Sequence, residues 1–195
     1  MTEFWIWFST GLHHIIDVSG YDHILFVALL VVISCFNKWS KLFLLISAFT
    51  LGHSISLALS VTDVVCVNQH IIEFLIAFSI FITASHNLIT FKKTEQKNSV
   101  FLLVIIIFFG LIHGLGFSFL LKSMLDKQQS VFFPLLYFNI GIEIGQLIIV
   151  ILVLVFSLLL AFVFKCPYKL YKFIIVCLIG IISLKMTIER FLELF

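Results

Sequence analysis

Six apolar runs follow one another along the chain, at 22–37, 41–61, 70–91, 99–121, 135–163 and 170–192. A helix needs about 20 apolar residues to cross a hydrocarbon core about 30 Å thick. The runs therefore predict six transmembrane helices and leave almost no chain over for anything else. Hydrophobic residues make up 62% of the 195 and charged residues 11%, against about 25% charge in ordinary soluble domains. A water-soluble domain is excluded. The expected fold is all-α: a polytopic membrane helix bundle formed by residues 1–195 as one integral membrane domain. Ahead of the first run, residues 3–17 are aromatic-rich and would be only about 22 Å long as a helix, too short to span. This segment predicts an interfacial or re-entrant helix.

The loops between runs carry Lys38 and Lys41, then Asp63 alone, then Lys92, Lys93 and Lys97 with Glu95, then Lys122 and Lys127 with Asp126, then Lys165, Lys169 and Lys172. Cytoplasmic loops collect Lys and Arg. The alternation places the first, third and fifth loops in the cytoplasm and both termini outside, as expected of a protein in a bacterial inner membrane. The two lysines of the fourth loop run against that pattern. The lysines are accounted for by topology, and a net charge of +2 leaves no basic face for nucleic acid. There is no phosphate-cradling Gly-x-x-x-x-Gly-Lys-Ser/Thr loop, so no nucleotide is expected. Cys35, Cys66, Cys166 and Cys177 lack the spacing of a disulfide framework or thiolate site. The first residues, Met-Thr-Glu-Phe-Trp, carry an acid where a signal peptide has bases, so segment 3–17 is expected to stay on the mature protein. Gly110 with Gly114 and Gly141 with Gly145 permit close helix approach, within the chain or in a homo-oligomer.

The informative residues are polar ones where lipid disfavours them. Asp17, Asp22, Glu73, Glu143, Lys185 and Glu189 lie within or against apolar segments, where a carboxylate near a helix centre costs about 2.5–3.5 kcal/mol to insert. Lys185 and Glu189, four apart, can pair with each other. Asp22 is placed to cap the first span. His14, His23, His53, His70, His86 and His113 also lie in or beside apolar runs. Span order gives their depth: His23 opens the first span, Glu73 lies one turn into the third, His53 and His113 lie two thirds along spans running outward, and Glu143 lies in the outer half of the fifth. Five groups from five helices thus fall in one half of the bilayer, whereas His86 and Asn87 lie near the inner face.

Neighbouring polar residues fall on the same faces. Asn139, Glu143 and Gln146 form an i, i+4, i+7 stripe, and Thr50, His53 and Ser54 form another. Ser79 adds a polar group on the third span. Imidazole with carboxylate and no thiolate suits a divalent nickel, cobalt, zinc, iron or manganese ion. His14, Asp22, His23, His53, Glu73, His113 and Glu143 are the candidate ligands, with Thr50, Ser54, Asn139 and Gln146 behind them to orient them. Two activities remain open: a permease that passes the ion inward, with His86 and Asn87 at its exit, or an intramembrane hydrolase in which the ion activates water and Glu73 or Glu143 is general base.

The segments Gly-Tyr-Asp-His-Ile-Leu-Phe, Phe-Thr-Leu-Gly-His-Ser-Ile-Ser-Leu, Glu-Phe-Leu-Ile-Ala, Gly-Leu-Ile-His-Gly-Leu-Gly-Phe and Phe-Asn-Ile-Gly-Ile-Glu-Ile-Gly-Gln, in that order, resemble the short branch of the HupE/UreJ family of membrane proteins. The resemblance runs from about residue 11 to residue 146. Members are associated with hydrogenase and urease gene clusters and regarded as nickel or cobalt permeases, so the resemblance implies divalent-metal uptake. The family's His, five residues, Asp-His pattern lands on Asp22-His23 with Ile16 where the first His belongs. Either an insertion around Asp17-Val18-Ser19 lets His14 or His13 serve, or Asp17 replaces it.

Overall fold

The computed structural model describes residues 2–33, 39–91, 99–125, 130–163, 165 and 167–195. The chain is all-helical there, with seven helices in the described residues: α1 (Glu3–Ile16), α2 (Asp22–Ile33), α3 (Trp39–Val61), α4 (Gln69–Ile89), α5 (Ser99–Met124), α6 (Phe132–Val163) and α7 (Tyr168–Leu192). Five are long and apolar enough to cross a membrane, and α2 is a shorter apolar helix. The protein is an integral membrane protein, and six spans preceded by an N-terminal helix describe it. Lys38, Lys92, Lys93, Glu95, Lys97, Asp126, Lys127, Cys35, Cys166 and the last four positions of the expected first span lie outside the described residues.

Helix α1 does not lie across the bundle. The Phe4 ring meets Tyr137 at 5.1 Å between centroids, while a Cβ on Gly141 would strike the carbonyl oxygen of Phe8 and one on Gly145 would press on Ile15. Numbers rise together on both helices, so α1 runs parallel to α6 for its whole length. In a six-span order α6 and α2 cross in the same sense. Helices α1 and α2 therefore follow one another in the same sense, broken at 17–21, and segment 3–17 packs along the bundle as a half-helix rather than lying across it.

The glycines make the other close seam. A Cβ on Gly52 would strike the Ile107 carbonyl, one on Gly110 that of Phe49, and one on Gly114 that of His53. Helices α3 and α5 thus touch backbone to backbone, which only glycine permits. Both Gly-x-x-x-Gly pairs are spent inside the chain. Helices α3 and α5 also run parallel, and at their ends Lys122 pairs with Asp63, a residue in the left-handed conformation (φ 60°) just past the end of α3. Helix α4 packs antiparallel on α7, with Phe74 against Phe191 at one end and Phe91 against Phe173 at the other. Lys185 and Glu189 pair at 3.5 Å on the exposed side of α7.

Candidate metal centre

The break between α1 and α2 places two histidines side by side. His14 sits in the last turn of α1, where unsatisfied carbonyls make a partly negative helix end that favours a cation. His23 is the second residue of α2, buried beside Asp22. The Asp22 carboxylate oxygen Oδ1 accepts the His23 backbone N–H at 2.9 Å and lies 3.0 Å from its ring Nδ1. Asp22 thus serves the helix start, as its position predicts, and also holds the imidazole. A proton on Nδ1 leaves the Nε2 lone pair free, the arrangement found in metal-ligating histidines backed by a carboxylate.

Helices α3 and α5 bring two more imidazoles across their seam. His53 is fully buried. His113 donates from Nδ1 to the Phe109 carbonyl at 2.8 Å, since a carbonyl can only accept, and this too frees Nε2. Ring centroids are 4.6 Å apart for His14 and His23, 5.8 Å for His14 and His53, and 5.3 Å for His23 and His113. His14, His23 and His53 offer ligand atoms that all lie within 4.8 Å of one another. Nitrogens held by one ion at about 2.1 Å would stand about 3.4 Å apart, so small side-chain shifts would close the three upon it.

The ring nitrogens show what the pocket lacks. Nε2 of His14, His23, His53 and His113, and Nδ1 of His53 as well, are buried without any hydrogen-bond partner. An unsatisfied buried polar atom costs about 1–3 kcal/mol, and five such atoms lie on these four rings. Their environment is aromatic: Phe117 lies 3.9 Å from His14, and Phe26 and Phe49 lie 5.4 Å and 5.0 Å from His113.

Arg190, in the last turn of α7, stands behind this group. Its Nη2 lies 3.5 Å from Asp22 Oδ2, and its Nη1 donates to the Glu73 carbonyl at 2.9 Å. One guanidinium therefore ties α7 to α4 and to the carboxylate that holds His23. Sequence reasoning passes over Arg190, although it lies inside the run 170–192; that position was the available signal.

The remaining predicted residues lie elsewhere. His13 is exposed, and so is Asp17, which accepts the Ser19 N–H at 2.9 Å; of the three candidates for the first position, His14 alone joins the other rings. His13, His14, Asp17, Ser9 and Phe117 line an open cleft of about 630 Å³, which gives His14 a route to the outside of the bundle. The Glu73 carboxylate accepts from Gln69 at 2.8 Å and groups with His70 and Glu193 near the surface. Glu143 accepts from Ser47 at 3.3 Å, and Gln146 accepts from Thr50 at 2.9 Å. Ser54 and Asn139 bond to their own helices, at Thr50 and Leu135, as do Ser79 and Asn87. His86 is exposed. Span order ranks residues along the membrane normal but says nothing of which way round its helix each one faces.

No curated protein and no solved structure was found to match the chain. The family model described as HupE / UreJ protein matches residues 1–192, and the chain belongs to that family.

Proposed function

We propose that the protein takes up a divalent transition-metal ion, nickel or cobalt in the first instance, through the four-histidine pocket. Membership of a family associated with nickel and cobalt transport supports metal uptake in general. The observation that carries the reading is that four histidines from four helices hold buried ring nitrogens without partners, three of them with ligand atoms within 4.8 Å of one another. Imidazole nitrogens in an apolar cage offer lone pairs of the kind that nickel, cobalt and zinc accept.

The ion is cargo, and the residues act on it in order. His13 and Asp17 draw a hydrated cation into the cleft. His14, which lines both the cleft and the pocket, exchanges the first water. His23 and His53 complete a three-nitrogen set, with His113 beside them to take the ion over. Asp22 supplies negative charge through His23 without itself leaving Arg190. Glu73 is engaged by Gln69 and Glu143 by Ser47, and among the described residues no glutamate groups with the three imidazoles as a general base would, which favours passage over hydrolysis. The membrane potential supplies about 2.3 kcal/mol per charge per 100 mV for the inward step.

The test is metal analysis and uptake with the intact protein in liposomes. Wild type should bind nickel or cobalt stoichiometrically, and His53→Ala and His113→Ala should each lose binding and uptake together while remaining inserted. Wild-type uptake in both variants would sink the proposal.

A further inference from the structure

On the N-terminal side of His53 along α3, helices α3 and α6 share a second polar locus that the pocket does not use. Thr50 and Ser47 lie three and six residues before His53 on α3, about 4.5 and 9 Å further along the helix at 1.5 Å per residue. Ser47 donates to the Glu143 carboxylate at 3.3 Å, and Thr50 stands 2.9 Å from the Gln146 amide oxygen. Glu143 and Gln146, three apart on α6, share one face. Gln146 is fully buried, and its amide nitrogen has no partner.

The hydrogen bonds at Thr50 do not close as drawn. Its hydroxyl has one proton, yet the carbonyl of Ile46 lies 3.2 Å away as well as the Gln146 oxygen at 2.9 Å. Turning the amide over settles the Thr50 proton and leaves an oxygen rather than a nitrogen unpartnered, since amide oxygen and nitrogen are interchangeable in shape. The hydroxyl then donates to Ile46, the amide –NH2 donates to Thr50, and the amide oxygen takes the place of the orphaned nitrogen. The locus becomes a set of oxygens: the Glu143 carboxylate, the Gln146 amide oxygen and the Ser47 hydroxyl, carrying one negative charge. Oxygens with one carboxylate, Gln146 buried and Ser47 and Glu143 half-buried, suit a cation that keeps part of its hydration.

We infer that Glu143, Gln146 and Ser47 form a second, weaker cation station one to two helical turns inward of the histidines, to which the ion passes after release from imidazole. This rests on the proposed uptake function. The pocket of nitrogens selects a transition metal; the station of oxygens, with lower affinity for such ions, gives the ion a stabilised position on the way in without trapping it.

The experiment combines cobalt titration of the purified full chain with cobalt uptake by liposomes, for wild type, Glu143→Gln and Ser47→Ala. Wild type should bind one tight and one weak equivalent. Glu143→Gln should keep the tight equivalent, which also shows that it is folded, lose the weak one, and slow uptake at least tenfold. Ser47→Ala, which keeps the carboxylate, should slow uptake less, and it carries the test if Glu143→Gln does not fold. Uptake and stoichiometry unchanged in the variants overturn the station while leaving the histidine pocket intact. A wild type that binds no cobalt at all overturns the uptake function itself.

Discussion

At the scale of single residues, the pocket depends on a chain of contacts running outward from one ring. His23 presents Nε2 because Asp22 holds Nδ1 at 3.0 Å, and Asp22 is held in turn by Arg190 at 3.5 Å. Replacing Asp22 separates two contributions. In Asp22→Asn the amide oxygen can still accept from Nδ1, so orientation survives and only the charge is lost; in Asp22→Ala both go. Loss of such supporting partners typically lowers metal affinity 10–100-fold. Asp22→Ala is expected at the upper end of that range and Asp22→Asn at the lower, read by metal titration of the purified protein. Equal affinity in the two variants would mean that orientation contributes nothing. Protonation competes with the ion for the same imidazole lone pairs, so affinity should fall as pH drops and never rise. A titration repeated across pH checks the sign.

At the scale of elements, the glycine seam between α3 and α5 decides whether His53 and His113 meet at all. A Cβ on Gly52 would run into the Ile107 backbone, and backbone cannot turn aside as a side chain can. Gly52→Ala should push the helices apart, costing about 1–3 kcal/mol as an overpacked contact does. It should also weaken metal binding through a residue that never touches the ion. Gly180 is the control: a Cβ there would meet Ala84 at an ordinary 3.6 Å, and Gly180→Ala should leave both stability and binding near wild type. Thermal unfolding in detergent beside a metal titration measures both. The close approach itself was legible, since Gly-x-x-x-Gly advertises it, but the partner was not. Similarly, hydropathy shows six runs and a break at Ser19-Gly20-Tyr21, yet the sequence does not reveal that α1 lies along α6 as an inserted half-helix. That depends on which faces pack. His53 and His113 were legible through depth, because span order fixes distance along the membrane normal. The roles of Glu73 and Glu143 were not, because depth carries no azimuth: their carboxylates face Gln69 and Ser47.

At the scale of the whole molecule, the remaining question is which face of the membrane the cleft opens to. The lysine alternation puts the second and fourth loops outside, and the awkward feature of that reading is lysine in the fourth. Lys122 pairs with Asp63 of the second loop, so the two loops share a face. Cys66 lies exposed in that same second loop, while Cys177 lies within α7. A chain retaining Cys66 alone, with Cys35, Cys166 and Cys177 changed to alanine, should react with a membrane-impermeant maleimide added to intact cells. Labelling that requires permeabilisation would invert the topology. The consequence reaches the transport direction, because α1 runs parallel to α6 from its N-terminal end and the cleft lined by His13 and Asp17 lies near the α5 end that carries Lys122. With Cys66 outside, the cleft opens outward and the Glu143 locus lies inward of the imidazoles, the order uptake demands. With Cys66 inside, the same residues would be met in the opposite order, as export demands.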